Sequence, residues 1–122
     1  MKNLISIVEI PTTDFSRAVT FYKALLNIDI EEIDMDGTQM GVLLSENEGV
    51  NVSLIKDENV QPSINGTMVY FNAETDLQPI LDKVEPNGGK IILPKTEISP
   101  EMGFFALFSD TEGNKIGLHS QQ

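Results

Sequence analysis

A strand, a helix and three further strands follow one another twice along this chain, and the two runs start about 60 residues apart. The pattern is read from apolar spacing. LISIVEI at 4–10 is β-branched and apolar, ends at Pro11, and reads as a strand buried on both faces or nearly so. Asp14 is a candidate N-cap for 15–26, where Phe15, Val19, Tyr22, Leu25 and Leu26 fall at helical spacing, with Phe21 flanking the stripe and Asn27 at the end. Asp36-Gly37 predicts a hairpin between IDIEEIDM and the run carrying Met40, Val42, Leu43 and Leu44. A polar turn from Ser45 to Gly49 leads to the strand 50–55, and 56–66 reads as a linker.

The second run repeats that order. TMVYF at 67–71 reads as a strand, Asp76 caps a short helix carrying Leu77, Ile80, Leu81 and Val84, and Asn87-Gly88-Gly89 ends it. KIIL, GFFALFS and KIGLHS follow as strands, the last two joined by a turn at 110–114. Either βαβββ unit alone would bury one face of a small sheet poorly. The expectation is therefore an α+β fold of tandem βαβββ modules, each curling into part of a cup, within a single domain over 1–122 (modules 1–59 and 64–122).

Charge and composition narrow the function. Nineteen Asp and Glu against eight Lys and Arg give −11, which argues against nucleic acid and anionic membrane as partners. No cysteine means no disulfide, thiolate metal site or cysteine nucleophile. The apolar run in MKNLISIVEIPTTD is too short for a signal peptide, and no stretch approaches the roughly 18 apolar residues of a membrane span, so a cytoplasmic location is expected. The acids at 29–36 match part of a calcium loop, but Leu43 stands where that loop needs a bidentate Glu, so they read as a solvated strand. Gly88-Gly89 follows a helix instead of preceding one, so it is no phosphate loop.

Three segments carry a resemblance: VEIPTTDFSRAVTFYKALLNI at 8–28, NGGKIILPKTEI at 87–98 and GFFALFSDTEGNKIGLHS at 103–120. Together they resemble the vicinal oxygen chelate superfamily, the glyoxalase/bleomycin-resistance/dioxygenase group. The resemblance implies a small-molecule cleft and a homodimer, and it places four metal-ligand positions at Ile7, Ser53, Thr67 and Gly117, on the first, fourth, fifth and eighth strands. None of these residues is a good ligand for a divalent ion, so no metal and no cofactor are expected there.

Two titratable residues remain as candidates. Period-two alternation puts Glu9 on the face of Ile7 and His119 on the face of Gly117. Glu9 reads either as a base or substrate acceptor, or as a strand-end carboxylate held by a backbone N–H or a lysine. His119 reads either as a proton-transfer or polar contact group, or as a surface histidine near the C-terminus. Ser53 and Thr67 could bond a ligand or the backbone. Phe104, Phe105, Leu107 and Phe108 supply core packing, with Phe105 as a candidate ligand wall. The function expected first is metal-independent binding of a small organic molecule. The alternatives are a glyoxalase-like lyase, isomerase or dioxygenase-ancestry enzyme using Glu9 and His119, and a structural or partner-binding module whose cleft is filled by Met40 and Phe105.

Overall fold

The computed structural model describes residues 4–45 and 49–122; the N-terminal three residues and most of the expected turn from Ser45 to Gly49 lie outside them. The chain divides into two compact units, Met1–Pro62 and Ser63–Gln122.

The first unit runs β1 (Ile7–Pro11), α1 (Phe15–Leu26), β2 (Asp29–Met35), β3 (Thr38–Leu44) and β4 (Asn51–Lys56). Its sheet has the order β1-β4-β3-β2, with β1 parallel to β4 and the other pairs antiparallel. The helix starts where Asp14 accepts from the N–H of Arg17 and stops where Asn27 turns left-handed. Both hairpin residues after β2 have positive φ, 49° at Asp36 and 89° at Gly37, as a tight two-residue turn between twisted strands requires. In β2 Ile30 is buried in the core and Ile33 half-buried, while Asp29, Glu31, Glu32 and Asp34 are all exposed to water.

Local signals misplaced some details. β1 starts at Ile7, and Ile7 is 61% exposed, so the strand is buried on one face only. Within this unit α1 covers a single side of the sheet, through β4 and β2. Pro11 belongs to β1 instead of merely following it. An edge strand tolerates it because Thr12, the next residue, donates its N–H inward to the Ile55 carbonyl and the prolyl nitrogen faces outward. Phe21 is fully buried and meets Tyr22 edge-on, with ring centroids 5.1 Å apart. The buried arc of α1 is therefore wider than the apolar stripe, extending from Phe21 round to Val19.

The second unit runs β5 (Tyr70–Asn72), α2 (Gln78–Leu81), β6 (Lys90–Ser99), β7 (Gly103–Ser109) and β8 (Lys115–Ser120). Its order, β5-β8-β7-β6, repeats that of the first sheet, again with its first and last strands parallel. Leu77, Leu81 and Val84 are buried, as are Ala106, Phe108, Ile116 and Leu118 on one face of β7 and β8. Each such large aliphatic side chain contributes roughly 1.5–3 kcal/mol by leaving water.

Here too boundaries moved. The strand expected at 67–71 is Tyr70–Asn72, and Thr67 lies ahead of it, exposed. Its pairing begins only where the N–H of Gly117 reaches the Val69 carbonyl. α2 is four residues long: beyond Leu81 the bonds tighten, with the N–H of Lys83 reaching the Ile80 carbonyl and that of Val84 the Leu81 carbonyl, and a 3-10 turn over Glu85–Asn87 follows, ending at Gly88 with φ 100°. Asp76 bonds the N–H of Gln78 from one residue outside the cap. β6 extends to Ser99 instead of stopping at Leu93: as an edge strand it absorbs Pro94 through register shifts on either side. No helix among the described residues is long and apolar enough to cross a membrane.

Candidate functional site

The register of β7 on β8 decides which side chains share a face of the second sheet. Phe104, Ala106 and Phe108 oppose Ser120, Leu118 and Ile116 on the covered face, leaving Phe105 opposite His119 and Leu107 opposite Gly117 on the other. Parallel β5 sets Tyr70 beside Gly117 and Asn72 beside His119. The loop before β7 brings Met102, and the end of β6 brings Ile98. Tyr70, Asn72, Ile98, Met102, Phe105 and His119 line a hollow of ≈ 620 Å³.

A buried turn holds this register. The Asp110 carboxylate accepts the backbone N–H groups of Glu112 and Asn114, each at 2.9 Å, and the Asn114 side-chain amide at 2.9 Å. Asn114 in turn accepts from the N–H of Ser63, tying the start of the unit to the hairpin.

The polar groups of the hollow are oriented. His119 Nε2 lies 2.6 Å from the Met102 carbonyl oxygen. A carbonyl only accepts, so Nε2 carries the proton and Nδ1 is the acceptor of the neutral ring. Asn72 Oδ1 accepts the N–H of Glu74 at 2.8 Å, which turns the amide NH₂ into the donor left for other partners. Tyr70 and Phe105 rings stand 6.5 Å apart, tilted by 54°.

Gly117 has a neighbour that explains the absence of a side chain. A Cβ placed there would overlap Tyr70 Cδ2 and lie 2.5 Å from Cε2 and 2.8 Å from Cγ. The tyrosine ring occupies the space that a ligating side chain at 117 would need. The other three implied ligand positions fare no better. Ile7 has no donor and Ser53, buried on β4, offers one hydroxyl. In the first unit Ile7 lies two residues before Glu9, the partner of Ser53; by the same register the second unit puts Met68, not Thr67, two residues before Tyr70, the partner of Gly117. Among the described residues no group of three or more His, Asp or Glu could hold a metal ion. The donor set does not fit a divalent ion.

Of the residues singled out in sequence, Phe105, Gly117 and His119 share one face of the second sheet. Ile7, Glu9 and Ser53 belong to the first unit, where Glu9 is exposed and pairs in register with Ser53. The strand expected to be buried on both faces would have enclosed this carboxylate; it stands exposed instead. Met40 is half-buried on β3, opposite Ile55. Tyr70, Asn72, Ile98 and Met102 were missed. The i, i+2 spacing of Tyr70 and Asn72, matching Gly117 and His119, is the signal that could have found the first two.

The first unit also carries a smaller hollow of ≈ 270 Å³ lined by polar residues of the β2–β3 turn and the segment after β4. Its Asp57 is held below the usual carboxylate range by the Thr38 hydroxyl, which donates at 2.5 Å, and by the N–H of Asn59.

Comparison with known proteins agrees with this architecture. A family model described as the Glyoxalase/Bleomycin resistance protein/Dioxygenase superfamily matches residues 4–118. A glyoxylase-like domain-containing protein of Didymella fabae is 33% identical over 118 residues, covering 90% of this chain and 88% of that one. The glyoxylase/bleomycin resistance protein/dioxygenase domain from Frankia sp. EAN1pec superposes with a TM-score of 0.78 at 16% identity, covering 98% of each chain. An antibiotic binding protein from Streptomyces sp. CB03234 superposes with a TM-score of 0.68 at 18% identity, covering 98% of this chain and 97% of its own. At these identities the solved structures speak to the fold alone.

Proposed function

The chain belongs to the Glyoxalase/Bleomycin resistance protein/Dioxygenase superfamily, and from that premise we propose that it binds a small organic molecule in the hollow of its second unit, without a metal ion. One observation carries this: a concave, mostly apolar surface in which two polar side chains, His119 and Asn72, are already oriented by their own hydrogen bonds. That is the composition of a small-molecule site, apolar walls with a few fixed polar groups. The metal-free part rests on donor chemistry, since Ile7 and Gly117 offer no ligand and Tyr70 fills the space at 117. Native mass spectrometry of protein isolated from its own cells tests both parts. A co-purified organic molecule whose affinity survives excess EDTA is expected. A stoichiometric divalent ion, or affinity lost with EDTA, ends the metal-free reading.

The proposal includes a homodimer. Ile7, Met35 and Leu44 project from the face of the first sheet that α1 does not cover, and all are exposed. A second copy would remove this apolar surface from water. Light scattering that gives a monomer mass at micromolar concentration refutes it.

A further inference from the structure

The hollow has a chemistry more specific than apolar. Tyr70 is 48% exposed, and its edge toward Gly117 is fixed by the absence of a side chain there. Phe105 stands beside it at 54°, so two rings form an angled wall. Ile98 and Met102 belong to the same lining, and a thioether adapts to the outline of whatever occupies the space. No Lys, Arg, Asp or Glu is among the described lining residues, and the chain carries −11. An anion would therefore be repelled by the protein at large and would meet no cation in the hollow. A cation would find no carboxylate. Polar recognition falls to His119 Nδ1, an acceptor, and to the NH₂ of Asn72, a donor.

Resting on the reading of this hollow as a ligand site, we infer that its ligand is a neutral, flat aromatic or conjugated molecule bearing a hydroxyl or similar group: the ring system lies against Tyr70 and Phe105, and the group donates to His119 Nδ1 while accepting from Asn72. The ring of Tyr70 takes the space beside Gly117, so this corner of the hollow is an aromatic platform. Aromatic rings prefer offset or edge-on partners, and a wall of two tilted rings presents both arrangements to one flat molecule. The volume suits roughly two or three fused rings.

Three compounds of matched size separate the parts of this inference: 2-naphthol, flat with a hydroxyl; decahydro-2-naphthol, saturated with the same hydroxyl; and 2-methoxynaphthalene, flat without a donor. Each is titrated into the isotope-labelled full chain and followed by amide shifts. We expect 2-naphthol to move the signals of Tyr70, Asn72, Phe105 and His119. It should bind about fivefold more tightly than the saturated alcohol and about tenfold more tightly than the methyl ether. Tyr70→Leu should bring 2-naphthol down to the level of the saturated compound. Equal affinity for the flat and saturated alcohols overturns the platform and leaves the ligand site standing. Equal affinity for the naphthol and its methyl ether overturns the donor contact to His119. If none of the three perturbs these residues, the ligand-site reading falls, and this inference with it. The series on the unaltered protein decides the matter even if Tyr70→Leu folds poorly.

Discussion

His119 donates from Nε2 to the carbonyl oxygen of Met102 at 2.6 Å, joining β8 to the turn that precedes β7. The Met102 N–H is also engaged, by Ser99 Oγ at 3.0 Å, so one residue of the turn is pinned from both sides. Nε2–H thus ties β8 to the turn at the rim of the hollow, which leaves Nδ1 as the acceptor of the neutral ring. His119→Ala should cost about 1 kcal/mol of stability and speed amide exchange at residues 100–103. His119→Gln, whose amide can still donate, should restore most of the protection. Nitrogen shifts of the neutral ring should report the Nε2–H tautomer. The Nδ1–H pattern would contradict the bond.

The contact between Tyr70 and Gly117 makes a quantitative prediction. Gly117→Ala puts a Cβ into the tyrosine ring, so the strand or the ring must shift, at a cost of about 1–3 kcal/mol in urea unfolding. Combining it with Tyr70→Ala removes the clash. The double variant should therefore lose clearly less than the sum of the single losses. Additive losses would mean that the ring does not occupy that space.

What was legible in the sequence follows the range of the interaction that sets each feature. The helix 15–26, the Asp36-Gly37 hairpin and strands β7 and β8 were read to the residue, because caps and turns are chemistry between near neighbours in sequence. The repeated succession of strand, helix and three strands was legible too, from periodicity together with cap and turn residues. β5 and β6 were misjudged because their lengths depend on partners elsewhere: β5 lasts only as long as parallel β8 runs beside it, and β6 continues past Pro94 because an edge tolerates shifts. The lining of the hollow has the same origin. Tyr70 and Asn72 meet Gly117 and His119 across 47 residues of chain, a register that a one-residue error at Thr67 concealed.

Asp110 illustrates how that register is kept. Its carboxylate is buried and accepts two backbone N–H groups and one side-chain amide within the turn joining β7 to β8. Asp110→Ala would leave those donors unsatisfied in a buried place and should cost about 3 kcal/mol. Asp110→Asn keeps one acceptor oxygen and should cost less. Urea midpoints of the two variants, ranked Asn above Ala, check the assignment; equal midpoints would mean that the charge, not the hydrogen-bond pattern, holds the turn.

Acid should weaken the second unit through Asp76. Lys95 donates to its carboxylate at 2.8 Å and the N–H of Gln78 adds a bond at 2.9 Å, and these hold its carboxyl below the ordinary value of 3.8. A carboxyl with a lowered folded-state pKa stabilises the fold only while ionised, so its contribution is complete above 3.8 and disappears as pH falls through the lower folded value. The pair is partly exposed, so the effect is modest and screened by salt. Lys95 also sits 4.8 Å from the Phe104 ring centroid, and that contact persists in acid. Asp76→Asn should therefore unfold at lower urea than the parent at about pH 7, with the gap closing at about pH 2 and narrowing in about 1 M salt. A gap of equal size at both pH values would show that the ionised carboxylate is not what Lys95 holds.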